Sequence, residues 1–229
     1  MSNQNSTFHP LSETKTAGNI RLTKSELIAL IQTIKPSLER PVFIAVSGFG
    51  GSGKSTLAAE LCKNLTDCTV VPIDDFIVGA RSQRSNDWRT FDRNRLRKDV
   101  LEKACIGKPL SYKCYNSGEW VSGRGGQLRT ITPAKFVIIE GCGVIHPSLM
   151  PYYDYSVWIN CSQKLAMENA KRRDRSETDL FGDDDTDRLW DEVWGPNDRD
   201  YFNKFRPDKL ASVLVKPQWY PGLESNQRP

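Results

Sequence analysis

Apolar positions along the chain follow two rhythms that alternate. Between Thr23 and Pro36 they fall at Leu27, Ile28, Leu30, Ile31 and Ile34, the spacing of one helix face. Thr23 with Glu26 three residues on predicts a capping box at its start, and Pro36 stops it. The next run, "PVFIAVSG", is short, rich in β-branched residues and apolar almost throughout, which predicts a strand buried on both faces. Helical spacing returns in "KSTLAAELCKNL" through Leu57, Leu61 and Leu65. "CTVVPIDDF" reads as a second strand, and "KFVIIEG" (135–141), "YSVWINC" (155–161) and "ASVLVK" (211–216) as three more, with helical stretches at about 92–105 and 163–174. Buried strands alternating with helices predict an α/β fold: a mostly parallel sheet covered by helices.

Three segments stand outside that rhythm. Residues 1–22 are polar and aperiodic and are expected to form a loose tail. The Pro-rich, polar end 218–229 is expected to add nothing to the core, which leaves one domain over 23–217. The interval 77–134 is polar, aromatic and basic, and its "LSYKCYNSGEWVSGRGGQLRTITP" suggests short strands joined by glycine turns. It reads as an insertion over the C-terminal edge of the sheet, where ligands of such folds bind, and not as a separate domain.

Composition narrows the classes. At 229 residues the chain can bury one substantial core. A net charge of +4 suits an anionic small ligand, but nothing concentrates it into the basic face a nucleic-acid binder needs. The six cysteines show no CxxC pair and no zinc spacing, as expected of a reduced cytoplasmic protein. No apolar stretch approaches the ~18 residues of a membrane span, and the N-terminus has no apolar signal core. A homo-oligomer is compatible with all of this.

The chemistry concentrates in Gly48-Phe49-Gly50-Gly51-Ser52-Gly53-Lys54-Ser55, which fits G-x-x-x-x-G-K-[ST] between a predicted strand and helix. Glycines there let backbone N–H groups converge on phosphate oxygens, and the following helix, through Thr56, offers its positive end. Lys54 would reach the β- and γ-phosphates, and the Ser55 hydroxyl would ligate Mg²⁺. The same stretch fits G-x-G-x-x-G through Gly48, Gly50 and Gly53, with Asp74 about twenty residues on, as a dinucleotide fold wants. A dinucleotide fold has no use for Lys54-Ser55, whereas a triphosphate site needs both.

Carboxylates and arginines complete the candidate set. Glu140 ends four apolar strand residues and could hold Mg²⁺ directly or through water; the plainer reading is a helix cap or salt bridge. Asp74 and Asp75 follow the second strand, so only one can face the phosphates; Asp74 is expected to handle the proton of an attacking hydroxyl, with Asp75 supporting. The alternative is that the pair caps a turn. Lys171, Arg172, Arg173 and Arg175 read either as a solvated helix end or as a lid over 171–190 that neutralises a moving phosphoryl group. The run Asp183-Asp184-Asp185 reads as a solvated turn. Asp75, Asp87, Tyr112 and Tyr115 are candidate contacts to an acceptor. No [ST/N]-K-x-D guanine-reading motif is present.

These landmarks together resemble a known group. "VSGFGGSGKST" (47–56), "PIDDF" (72–76), "FDRNRLRKDVL" (91–101), "FVIIEGCGVIHPSL" (136–149) and "KRRDR" (171–175) are similar to the uridine kinase group of the phosphate-loop kinases, over roughly 24–216. That group also includes nicotinamide riboside kinase, pantothenate kinase and phosphoribulokinase. The resemblance implies a five-stranded parallel sheet with the phosphate loop after its central strand. It implies ATP and Mg²⁺, Asp74 as catalytic base, and Ser55 and Glu140 around the metal with Asp74 nearby. It also implies Arg173, with Arg172 and Arg175, in the lid, Asp87 on the ribose, and a nucleoside-like small molecule as acceptor. The chain departs from the group in Ile77 after the D-x-F, in Tyr115-Asn116 where Tyr-Asp is common, and in 195–201, a loose match to P-x-E-x-x-Y. His9 and His146 are its only histidines, and neither matches the one that reads a pyrimidine in some relatives. An ATPase or nucleotide switch acting on a macromolecule is the alternative function.

Overall fold

A computed structural model describes residues 19–36, 40–80, 82–115, 126–132, 134–177 and 183–217. The strands are β1 (Ile20–Leu22), β2 (Val42–Ser47), β3 (Cys68–Pro72), β4 (Leu110–Lys113), β5 (Leu128–Ile131), β6 (Phe136–Glu140), β7 (Tyr155–Ile159) and β8 (Val213–Val215). Six of them form one parallel sheet in the order β1-β8-β7-β2-β6-β3, and β4 and β5 pair antiparallel by themselves. The helices are α1 (Lys24–Gln32), α2 (Lys54–Lys63), α3 (Arg93–Leu96), α4 (Glu102–Cys105), α5 (Gln163–Glu177), α6 (Asp183–Leu189), α7 (Gly195–Phe205) and α8 (Pro207–Leu210). A π turn (Arg97–Leu101) joins α3 to α4, and another (Trp190–Trp194) joins α6 to α7. No helix among the described residues is long and apolar enough to cross a membrane.

The sheet has six strands where five were expected. The extra one lies inside the expected tail: Ile20, Arg21 and Leu22 pair with Val213, Leu214 and Val215. Without them β8 would present an open row of N–H and C=O groups. Three residues, two of them exposed, carry no periodicity to read. Residues 1–18 and 218–229 lie outside the described residues.

Burial explains the unbroken apolar runs. All six residues of β2 and all five of β6 are buried. Successive side chains point to opposite faces. Ile44 and Val46 pack with Leu27 and Ile31 of α1 and Leu57 and Leu61 of α2, while Phe43 and Ala45 pack with Phe76, Leu96, Leu101 and Tyr201. The predicted capping box forms at α1, where the Glu26 N–H donates to Thr23 Oγ1 at 3.2 Å and the Thr23 N–H donates to Glu26 Oε2 at 2.7 Å. Leu101, Leu110 and Tyr112, within the 77–134 interval, share the core of Phe43. Asp183-Asp184-Asp185 opens α6 instead of forming a turn.

Register sets up the site. Val46 and Pro72 flank Glu140 on neighbouring strands. The loops after β2, β3 and β6 therefore leave the same edge of the sheet side by side.

Candidate active site

Residues 48–53 bridge β2 and α2 as the phosphate loop. Gly53 has φ +88° and Gly51 φ +80°, a backbone that L side chains rarely adopt. A Cβ on Gly51 would also stand 2.1 Å from the Ala166 carbonyl oxygen, so α5 lies directly over the loop. The Phe49 side chain packs away from it between Trp158 and Phe202, with ring centroids 5.3 and 5.1 Å off, and Ser52 is buried.

Lys54, the first residue of α2, is buried and its Nζ donates to the Phe49 carbonyl at 2.9 Å. Burial pulls its pKa down, but Cys142, Asp198 and Glu140 outweigh that and leave it raised, so the ammonium is held charged. The Ser55 hydroxyl lies 3.3 Å from each Glu140 carboxylate oxygen. Burial pushes the Glu140 pKa above the ordinary carboxylate range, against the pull of Lys54 and Ser55. No cluster of three or more His, Cys, Asp or Glu that could hold a metal occurs among the described residues. One hydroxyl beside one carboxylate fits Mg²⁺, which keeps water and substrate phosphate in its shell, better than a metal caged by protein alone.

Lys54, Ser55, Asp74, Glu140 and Arg173 all line one open cleft, with Gly50 and Gly51 on its floor. Its other walls include Ile77, Trp88, Phe91, Trp190, Trp194 and Asp198. A second, smaller apolar recess lies across the loop, against Gly53, Thr56, Ile159 and Pro217.

Asp74 and Asp75 sit in a 3₁₀ turn (Ile73–Phe76) and not on the strand, which ends at Pro72. At three residues per turn their side chains still diverge. Asp74 enters the cleft. Asp75 turns to the β4–β5 hairpin, where Arg129 Nη1 donates to it at 2.6 Å and the Tyr112 hydroxyl at 3.1 Å. The Tyr115 N–H donates to the Asp75 carbonyl at 2.9 Å. Asp75, Tyr112 and Tyr115 thus tie the hairpin to the end of β3 and are not among the cleft's walls. Asp87 is buried outside those walls as well, accepting from Lys204 at 3.0 Å and Arg89 at 3.2 Å. Burial pushes its pKa up, but these two cations hold it below the usual range.

The predicted lid divides in the same way. Arg173 reaches the cleft and donates to Asp174 at 2.7 Å. Arg172 donates to Asn169 at 2.5 Å, and Arg175 pairs with Asp187, bracing α5 against α6. Residues 178–182, Arg81 and Asn116 lie outside the described residues.

Trp88, Trp190 and Asp198 are among the wall residues that escaped the sequence reading. Trp88 stacks on Phe91 with centroids 5.3 Å apart. Trp190 lies over the phosphate loop and donates its indole N–H to Asp174 at 2.8 Å. Asp198 is 3% exposed and accepts from the Gly50 N–H at 2.6 Å. Burial raises its pKa, against Lys54 and the Gly50 N–H. The one available signal was the acid two residues after Pro196, in the stretch that matched P-x-E-x-x-Y only loosely.

Several known proteins are similar to this chain. A uridine kinase of Clostridium perfringens is 26% identical over 155 residues, covering 61% of this chain and 71% of its own. A uridine kinase of Oceanobacillus iheyensis is 23% identical over 150 residues, covering 61% and 70%. Among solved structures, a possible uridine kinase from Bacillus stearothermophilus matches with a TM-score of 0.61 at 18% identity, over 84% of this chain and 96% of its own. A D-glycerate 3-kinase from Cryptococcus neoformans matches at 0.54 and 13%, over 84% and 92%. No family model matches the chain. The chain has uridine kinase homologues at modest identity, and its fold is the α/β fold of the phosphate-loop kinases.

Proposed function

We propose that this chain, with that fold and those relatives, is a small-molecule kinase that moves the γ-phosphoryl group of ATP to an alcohol. One observation carries the reading: the ends of neighbouring strands bring Asp74 and Glu140 into one cleft with Lys54 and Ser55. An ATPase needs the loop and the metal carboxylate, but a second carboxylate opposite the phosphates suits an acceptor hydroxyl.

In this reading the loop N–H groups and Lys54 hold the triphosphate, with Phe49, Ser52 and Thr56 shaping the loop and the start of its helix. Mg²⁺, when bound by Ser55 and Glu140 with water and phosphate oxygens, neutralises charge on the phosphates. The acceptor oxygen attacks the γ-phosphorus, the bond to the β-phosphate oxygen breaks, ADP leaves, and the hydroxyl proton passes to Asp74. Arg173 leaves Asp174 to meet the charge of the transferring group; Arg172 and Arg175 hold the helix that presents it.

A nucleoside such as uridine or cytidine is the favoured acceptor, supported by the named relatives and by flat aromatic walls at Trp88 and Phe91. A vitamin-type alcohol or another ribosyl compound comes next. The setting is the cytoplasm, without nucleic acid or membrane. The test is ADP release across uridine, cytidine, nicotinamide riboside and pantothenate, with Lys54→Ala and Asp74→Asn as controls. At least one acceptor should raise release well above the rate with water, and both variants should remove the gain. Release that no acceptor changes would favour the ATPase instead.

A further inference from the structure

The first turn of α7, Pro196-Asn197-Asp198-Arg199-Asp200, grips residues 83–88 at almost every polar position. The buried Asn197 accepts at Oδ1 from the Ser85 N–H at 2.6 Å and from Arg84 Nη1 at 2.5 Å, and its Nδ2 donates to the Gln83 carbonyl at 3.3 Å. Asp200 pairs with Arg84, and Lys204, one turn on, with Asp87. Asp198 completes the grip, accepting at Oδ1 from the Trp88 indole N–H at 3.0 Å. Its other oxygen is the one bound to the Gly50 N–H of the phosphate loop.

One buried carboxylate therefore spans the two halves of the cleft. Burying an anion is costly unless its bonds compensate, and both of these bonds are charge-assisted. Trp88 carries a second cost, since its φ of +52° lies in the left-handed region that a bulky residue rarely occupies. Strain of that kind persists where the surroundings over-determine it, and gathers at sites that work. Here Phe91 beneath the ring and Asp198 on its N–H supply the constraint.

We infer that Asp198 is a positioning residue that couples nucleotide on the phosphate loop to the pose of Trp88, the wall against which the acceptor rests. A ligand that moves or polarises the Gly50 N–H changes the bond Asp198 makes with it, and so the hold on Trp88. By linkage, an acceptor pressing on Trp88 changes nucleotide affinity by the same factor. The inference rests on the kinase reading for what Trp88 touches, but its first half needs only a nucleotide.

The experiment is hydrogen exchange over residues 83–91 of the full chain, with and without saturating Mg²⁺ and a non-hydrolysable ATP analogue. Wild type, Trp88→Phe and Asp198→Asn are compared. Trp88→Phe keeps an aromatic ring and removes the indole N–H. In wild type the analogue should slow exchange over 83–91 about tenfold, the scale of one charge-assisted bond. Both variants should lose most of that slowing, with exchange in β2 and β6 unchanged. A wild-type response absent despite bound analogue, or preserved in both variants, would overturn the inference and leave the kinase reading standing. An analogue that does not bind wild type at all would overturn the kinase reading. A kinetic arm uses uridine as the acceptor probe. Trp88→Phe should raise the KM for uridine about tenfold and move the KM for ATP by less than about threefold. Equal rises in both would contradict the positioning role.

Discussion

Gly50→Ala probes the packing of the phosphate loop against the Trp190 ring. A Cβ there would lie 2.4 Å from Trp190 Cη2 and 2.7 Å from Cζ3. Carbon atoms pack at about 3.5–4.0 Å, so the ring would have to retreat by about 1.2 Å. It is poorly placed to do so. Its indole N–H is bonded to Asp174 at 2.8 Å, and Trp194 meets it edge-on with centroids 5.0 Å apart. Overpacking of this kind costs roughly 1–3 kcal/mol. For a chain of this size, each kcal/mol moves Tm by about 2–4 °C, so the expected fall is about 2–12 °C. A thermal melt measures it, and calorimetry with an ATP analogue measures the parallel loss of affinity. The same change in a Trp190→Leu background should cost at least ~1 kcal/mol less, because the obstructing ring is gone. Additive effects, or a single variant that melts within about 1 °C of wild type, would refute the packing argument.

Two other changes separate the site from its scaffold. Burial raises the folded-state pKa of Glu140, so the native chain holds an extra proton between the unfolded and folded values, and stability falls as pH rises through that window. Glu140→Gln should flatten that fall in a Tm-against-pH series and raise the Mg²⁺ needed for half-maximal turnover by about tenfold or more; an unchanged pH series would count against it. Asp154 anchors the far end of β2, accepting from Arg40 at 3.0 and 2.5 Å and from the Phe43 N–H at 2.8 Å. Asp154→Ala should cost roughly 1–3 kcal/mol in a denaturant melt and leave nucleotide affinity unchanged.

What the sequence disclosed followed from how local each feature is. The phosphate loop was legible because a strand, a glycine turn and Lys54-Ser55 are contiguous. Asp74 and Glu140 were legible because each ends an apolar run that stops at the ligand edge. Asp75, Tyr112 and Asp87 looked like acceptor contacts because polar side chains near a site read alike. Only three-dimensional placement shows them engaged with Arg129, with Asp75 and with Lys204 respectively. Asp198 meets Gly50 across 148 positions of sequence, a contact no periodicity reports. The edge strand at Ile20–Leu22 was missed because pairing with β8, and not its own pattern, defines it.

The central claim is transfer, and the most direct measurement follows the phosphoryl group itself. With Mg²⁺, uridine and ATP labelled in the γ-phosphate, wild type should place the label on a uridine hydroxyl, and Asp74→Asn should not. Label appearing only as inorganic phosphate, at a rate no alcohol in the acceptor panel changes, would contradict it.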